Sequence, residues 1–397
     1  MSTFRPLRVE AVEPLTDDAV AVSLAVPPEL RSVYGYAPGQ HITLRRHVAE
    51  TGQAGGTGES AGPGGGLRAR RTYSLCAPAE EAPATLRIGI RGVPGGEFST
   101  YALKELAPGD LVDVLPPAGR FVLDPRPGRF AAVVGGSGIT PVLSIAATLL
   151  EREPEARFCL LRSDRSTAST MFLDEVADLK DRFPDRFQLV PTLTKETRQS
   201  GLPGGRLDEE RLTGLLPALL PVAAVDGWFL CGPFGLVEGA ARALRGLGVP
   251  RARIHQEVFH VDEPPEGPAG GSGPGSNGSA PGAGWRPGSG PGPVAGRGSG
   301  SGAVREAATL AATLDGRSDR WPVDDGESVL ETVLRHRTDA PFACRGGVCG
   351  TCRVRLVSGE VRMERNYALE PDELAAGYVL ACQSRPVTET VEVDFDG

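Results

Sequence analysis

Lysine is nearly missing from the 397 residues: Lys104, Lys180 and Lys195 are the only ones among 42 basic residues. Together with 53 Gly and 35 Pro this reads as a compositional bias, and no function follows from it. Clustered positive charge is also lacking, and the formal net charge is -8. Nonspecific nucleic-acid binding needs cations in patches to displace phosphate counterions, so nucleic acid is not an expected partner. An acidic carrier that docks on a basic partner surface fits the charge better. No apolar run approaches the roughly 18 residues of a membrane span, and the opening MSTFRPLRVEAVEP lacks the apolar segment of a signal peptide. No membrane partner is expected, and the expected location is the cytoplasm.

The chain is too long for one ordinary core, which implies two or three domains. Residues 4–123 alternate apolar and polar in short runs broken by Pro38-Gly39 and Pro108-Gly109, the pattern of an antiparallel β-barrel over 1–125. Within it, 49–67 is Gly-rich with few large apolar groups and reads as a flexible hairpin insertion. From Arg129 the apolar run FAAVVG leads into a glycine turn and a helical stretch over 141–151. Further strands are expected at 157–161, 187–191, 227–231 and 253–258, with helices near 170–183, 208–216 and 234–247. That alternation is βαβ grammar and predicts an α/β domain with a parallel sheet over 126–261. Residues 262–303 are almost wholly Gly, Pro, Ser and Ala and read as a tether. A last module follows over 304–397, with 11 basic against 17 acidic residues, so most of the net negative charge sits there.

Seven cysteines in a reducing compartment are thiols or metal ligands before they are disulfides. Cys76, Cys159 and Cys231 stand singly, whereas Cys344, Cys349, Cys352 and Cys382 crowd the last module. Their spacing is C-x4-C-x2-C with 29 residues between Cys352 and Cys382, the plant-type [2Fe-2S] pattern. Three ligands on one loop wrap a single cluster, and Gly346, Gly347 and Gly350 allow the backbone to approach it. A second C-x2-C pair, usual in zinc knuckles, is missing, and so is the C-x-H of a Rieske centre. A thioredoxin-like reading of Cys349 and Cys352 would leave Cys344 and Cys382 without a role. The four thiolates are therefore the expected ligands of a [2Fe-2S] cluster, and the resemblance of their spacing to plant-type ferredoxins implies a β-grasp-like α+β ferredoxin domain around them.

Two further motifs carry chemistry. Arg71-Thr72-Tyr73-Ser74 lies on an expected barrel strand, after Tyr36-Ala37-Pro38-Gly39-Gln40 and before Gly96-Glu97-Phe98-Ser99. Alone, the tetrapeptide is weak, since a surface Arg beside a barrel Tyr and Ser is its commoner origin; the order and spacing of all three segments carry the reading. Gly135-Gly136-Ser137-Gly138-Ile139-Thr140-Pro141 follows an expected strand and opens a helix, which is the context of a dinucleotide cradle, although it is not G-x-G-x-x-G.

These segments resemble the ferredoxin:NADP reductase superfamily. The resemblance implies FAD on the barrel, with Arg71 at its pyrophosphate, Tyr73 against the isoalloxazine, Ser74 at the ring edge, and Gly96, Phe98 and Ser99 at the phosphate. It implies pyridine nucleotide at Gly136, Gly138, Thr140 and Pro141, with Cys231-Gly232-Pro233 beside the nicotinamide and Phe259 shielding a flavin face. Tyr73, Ser74 and Cys231 are the residues expected at the reacting atoms. Ser163 and Arg165 suit a 2′-phosphate and hence NADPH, whereas Asp164 suits a bare ribose hydroxyl and NADH; both stay open. The tail, from Met363-Glu364-Arg365-Asn366-Tyr367 to Cys382-Gln383 and the closing VDFDG, resembles the reductase subunits of phenylacetyl-CoA epoxidases. That implies an oxygenase partner, a diiron epoxidase complex, supplied with electrons from NADPH through FAD and the cluster. Reductases of steroid or aromatic-ring hydroxylases share the cofactor motifs. A noncatalytic redox sensor or carrier is the rival from another class, and complete flavin and nucleotide motifs would be superfluous in it.

Overall fold

The computed structural model describes residues 3–47, 70–196, 205–260, 308–337, 340–342, 346–347, 350–369 and 371–397. The expected insertion at 49–67, the tether at 262–303, and Cys344 and Cys349 lie outside the described residues. The chain divides into two compact units, Ser2–Asp262 and Glu263–Gly397.

The first unit begins with six antiparallel strands: β1 (Arg5–Thr16), β2 (Ala19–Ala25), β3 (His41–Arg46), β4 (Arg71–Ser74), β5 (Thr85–Arg91) and β6 (Leu111–Val114), with α1 (Glu97–Lys104) between the last two. Their order is β4-β3-β6-β1-β2-β5, and a bridge between Leu75 and Ile88 joins the two ends into a barrel. The two-residue period of β2 gives each of its faces a separate task. Val20, Val22 and Leu24 fill the barrel, while Ala19 and Ala21 face the core of the following lobe. Small residues there let the two lobes approach, and Phe121 continues the contact edge-on against Phe229, with ring centroids 5.5 Å apart. One apolar core thus runs from the barrel into the second lobe.

That lobe is a five-stranded parallel sheet: β7 (Arg129–Gly135), α2 (Ile139–Arg152), β8 (Arg157–Asp164), α3 (Leu173–Arg182), β9 (Phe187–Leu193), α4 (Glu209–Leu219), β10 (Gly227–Pro233), α5 (Phe234–Gly246) and β11 (Ile254–His260). The strand order is β11-β10-β7-β8-β9. The chain therefore builds outward from β7 in one direction, then returns to its other side with β10. The break in order between β7 and β10 is a topological switch point, where open α/β sheets bind ligands beyond the carboxyl ends of their strands.

The second unit holds β12 (Thr309–Leu314), β13 (Arg317–Pro322), α6 (Val329–His336), β14 (Arg353–Ser358), β15 (Val361–Met363), α7 (Pro371–Ala375), β16 (Tyr378–Leu380), β17 (Ser384–Pro386) and β18 (Thr390–Asp394). The main sheet runs β13-β12-β18-β14-β16, with β12 and β18 parallel and the other neighbours antiparallel; β15 and β17 form a separate ladder. A capping box starts α6: Ser328 Oγ accepts from the Glu331 amide, and Glu331 Oε2 accepts from the Ser328 amide. Val329, Leu330, Val333 and Leu334 then pack into the core beneath the sheet. This is the α+β arrangement expected of the cysteine-rich module. Among the described residues no helix is long and apolar enough to cross a membrane.

Candidate functional site

The glycine turn lies at the switch point. Gly136, at φ +54, and Gly138 leave β7, and α2 starts without a side-chain cap or an acidic residue in its first turn. The Ile139 amide already donates to the Gly136 and Ser137 carbonyls of the 3-10 turn Gly136–Gly138, so it is the helix dipole and the amides of that turn that favour an anion. Thr140 is buried, its hydroxyl donating to the Ser137 carbonyl at 3.0 Å, and Pro141 sits in the first turn, where a missing N–H is harmless. Across the switch point, Cys231-Gly232-Pro233 ends β10 and backs directly onto this turn. A Cβ on Gly138 would lie 2.2 Å from the Cys231 carbonyl oxygen, and one on Gly232, at φ +142, would lie 2.9 Å from that of Gly135. The two motifs therefore meet backbone against backbone, a cradle only glycines permit.

The barrel reaches into the same place. Arg91, at the end of β5, lies over the turn: a Cβ on Gly136 would be 3.0 Å from its Nη1. Its Nη2 donates to the Ser169 carbonyl and its Nε to Asp18 at 3.2 Å. Asp18, in the β1–β2 turn, also accepts from Arg165 Nη2 at 2.9 Å, and its carboxyl is held below its ordinary value: burial opposes this, but the Thr16 hydroxyl and the two arginines outweigh it. Ser163 is half-buried at the end of β8. Asp164 is the alternative ribose acceptor, and its Oδ1 has no hydrogen-bond partner among the described residues. It is buried, and its Oδ2 accepts from Arg162 Nε at 2.5 Å.

On the barrel, β4 pairs with β3 so that Ser74 faces His41 and Tyr73 faces Ile42. Arg71 is exposed, donates to the Arg70 carbonyl, and pairs with no carboxylate among the described residues. Its charge is thus available to an anionic ligand. Phe98 packs on Tyr73 with ring centroids 5.7 Å apart, joining the Arg71–Ser74 strand to the helix opened by Gly96. Ser99 is buried and stitches that turn, accepting from the Val93 amide and donating to the Gly96 carbonyl.

A half-buried acid completes the site. Glu257 pairs in register with Cys231 across β10 and β11. Its side chain is 15% exposed, yet Oε2 is sealed from solvent without a hydrogen-bond partner, and Oε1 lies 3.9 Å from His41 Nδ1. Burial pushes the Glu257 carboxyl up to about 8, depresses His41 to about 4, and raises the Cys231 thiol. An orphaned carboxyl oxygen in a glycine-lined cradle fits a polar ligand such as a nicotinamide or flavin edge. Phe259, two residues on, packs against the core of the parallel-sheet lobe. Sequence reasoning missed Glu257, His41, Arg91 and Asp18; the one available signal was that Glu257 is the single acid of the strand Ile254–His260.

In the second unit Cys352 is buried and Cys382 half-buried, tied through a 3.0 Å hydrogen bond from the Ala381 amide to the Cys352 carbonyl. Gly347 and Gly350, which stand among these cysteines in the sequence, take φ of +78 and +66, a backbone that glycine adopts without strain.

The switch-point cradle and the cysteine loop define the class, an NAD(P)H-dependent oxidoreductase that carries its own [2Fe-2S] module. The oxidoreductase NAD-binding domain family matches residues 133–242, and the 2Fe-2S iron-sulfur cluster binding domain family matches residues 312–387. One of the subunits of 1,2-phenylacetyl-CoA epoxidase from Escherichia coli K12 is 38% identical over 400 residues, covering 100% of this chain and 99% of that protein. The ferredoxin reductase component of 3-ketosteroid-9-alpha-monooxygenase from Rhodococcus rhodochrous is 30% identical, covering 98% and 96%. Among solved structures, phthalate dioxygenase reductase has the same fold, with a TM-score of 0.56 at 23% identity over 99% of this chain and 98% of that one. The chain belongs to the family of flavin- and NAD-binding, [2Fe-2S]-carrying reductases of oxygenase systems.

The raised Glu257 carboxyl makes stability depend on pH. Between the ordinary carboxylate range and about pH 8 the folded chain keeps a proton that the unfolded chain has released, so this contribution falls as pH rises through that window and levels off above it. Glu257→Gln keeps the shape and removes the titration. Chemical denaturation at about pH 5 and about pH 8 should show the variant gaining stability relative to the parent at the higher pH. Parallel profiles would mean that Glu257 is already ionised in the folded protein.

Proposed function

We propose that the chain passes electrons from NADPH, through FAD and its [2Fe-2S] cluster, to a diiron epoxidase that acts on phenylacetyl-CoA in the cytoplasm. The observation that carries the reading is the meeting of the glycine turn with the Cys231 strand end, beside the orphaned Glu257 oxygen. Full-length similarity to a component of the Escherichia coli epoxidase supports the choice of acceptor.

When bound, the flavin supplies the exchange between a hydride pair and single electrons, and the cluster supplies one-electron carriage. The chain's own residues hold and orient these groups. Arg71 would direct its guanidinium at the flavin pyrophosphate, the Phe98 amide would face a phosphate from the start of α1, Gly96, whose own amide donates to the Val93 carbonyl, would let it approach, and Ser99 shapes that turn. Tyr73 would lie along the isoalloxazine, Ser74 would hydrogen-bond its edge, and Phe259 would shield a ring face. Gly136, Gly138, Thr140 and Pro141 form the pyrophosphate seat, with Arg91 adding positive charge above it. Cys231, Gly232 and Pro233 set the position of the nicotinamide. Cys231 acts as a buried neutral thiol, since its raised pKa leaves no thiolate at neutral pH. Glu257 keeps its proton near neutral pH and presents a carboxylic acid, not a carboxylate, to the cradle. Hydride transfer between carriers needs alignment more than proton chemistry, so no general base is assigned. Cys344, Cys349, Cys352 and Cys382 hold the cluster.

NADPH is favoured over NADH because Asp164 is committed to Arg162 while Ser163 and Arg165 stay near the surface. A 2′-phosphate would take over the guanidinium now shared with Asp18. Arg165→Glu should raise the KM for NADPH by about tenfold to a hundredfold, the worth of a charged hydrogen bond, and leave that for NADH in place. An unchanged preference between the two nucleotides removes Arg165 from the phosphate site.

The acceptor is tested by reconstitution. With the oxygenase subunits of phenylacetyl-CoA epoxidase, the purified chain should support NADPH-dependent epoxidation of phenylacetyl-CoA. Turnover only with a steroid or aromatic-ring hydroxylase would assign it to that system instead, and no NADPH oxidation with any artificial acceptor would leave a carrier without reductase activity.

A further inference from the structure

Gln383, the residue after the fourth cysteine, belongs to none of the sites described above. It is the only glutamine between 304 and 397, it is buried, and it is pinned at both ends. Its amide donates to the Leu380 carbonyl, and its carbonyl accepts from the Glu364 amide at 2.9 Å. Its side-chain Nε2 lies 3.1 Å from the Cys382 carbonyl oxygen and 3.5 Å from Cys382 Sγ. Both neighbours are acceptors, so the NH2 end of the amide must face them; a flipped amide would set oxygen against oxygen and sulfur. The stem of the side chain also supports the ligand loop: a Cβ on Gly347 would stand 3.0 Å from Gln383 Cγ. Gly347 in turn accepts from the Tyr367 amide at 3.0 Å. Gln383 thus touches the loop that carries three ligand cysteines and the sulfur of the fourth.

We propose that Gln383 is a positioning residue for the cluster, donating a side-chain hydrogen bond to the Cys382 thiolate and thereby raising the reduction potential. One-electron reduction adds negative charge that spreads onto the ligand sulfurs, so a donor aimed at one of them stabilises the reduced form more than the oxidised form. The inference rests on the four-cysteine [2Fe-2S] assignment and adds to it a residue outside the ligand set.

The test is potentiometry, followed by EPR, on the full-length holoprotein and on Gln383→Leu. The variant should keep its iron and sulfide but become harder to reduce by about tenfold in the oxidised-to-reduced ratio, about 59 mV for a one-electron couple. A merely structural role would not move the potential of a fully loaded cluster. Pulsed EPR of the reduced parent protein, isotopically labelled at the glutamine side-chain nitrogen, provides a reading that needs no variant to assemble. A through-bond coupling to the cluster spin is expected. An unchanged potential in fully loaded Gln383→Leu, or no such coupling in the parent, overturns the proposal. Absence of any cluster signal from the reduced parent would overturn the cluster assignment itself, a failure distinct from that of Gln383.

Discussion

The functional unit depends on one close approach, the contact of the Gly138 backbone with the Cys231 carbonyl. Two strands distant in sequence, β7 and β10, are neighbours in the sheet, and each ends in a turn that must pass the other without side chains between them. The cradle exists because the strand order reverses there, and its floor is peptide rather than side chain. Peptide amides and an uncapped helix start suit a pyrophosphate for the same reason that they exclude bulk. Everything polar nearby is arranged around that floor: Arg91 above it, Glu257 beside it, and the buried Arg162–Asp164 pair at the end of the next strand.

The barrel is coupled to this seat through a shared core. The alanines of β2 and the edge-on Phe121–Phe229 pair bury the lobe contact in apolar surface, while Asp18 ties the β1–β2 turn to Arg165 across 147 residues of chain. Apolar burial of this kind holds two ligand sites in fixed register, which hydride transfer requires, since alignment is the main contribution a protein makes to it. The buried imidazole of His41 and the protonated Glu257 meet at the same boundary. Both are neutral near pH 7, so no bare charge is sealed between the lobes.

Much of this was legible in the residues. Periodicity of two before 123 and strand–helix alternation after 129 identified the barrel and the parallel sheet, and the strands found at Arg157–Asp164 and Gly227–Pro233 extend the expected ones by a few residues at their carboxyl ends. Those extra residues are where the site is built, because sheet pairing continues past the apolar run that signals a strand. The [2Fe-2S] spacing was visible because three cysteines fall within nine residues of sequence. Contacts made by residues far apart in sequence were not visible. Nothing local in His41, Asp18 or Arg91 marks them as neighbours of the glycine turn, and nothing in Arg162-Ser163-Asp164-Arg165 shows that the Asp164 carboxylate is buried against Arg162. Gln383 sits beside a recognised cysteine, but its aim at Sγ depends on a turn that only the fold defines.

The central claim is that the bare backbone contact at Gly138 forms the dinucleotide seat. Titration of the oxidised holoprotein with NADP+, followed by difference absorbance, tests it in the Gly138→Ala variant. A methyl group 2.2 Å from the Cys231 carbonyl oxygen forces the two turns apart. Nucleotide affinity should then drop by about tenfold or more while flavin and iron content stay at parental levels. Parental affinity at full cofactor content would contradict the claim.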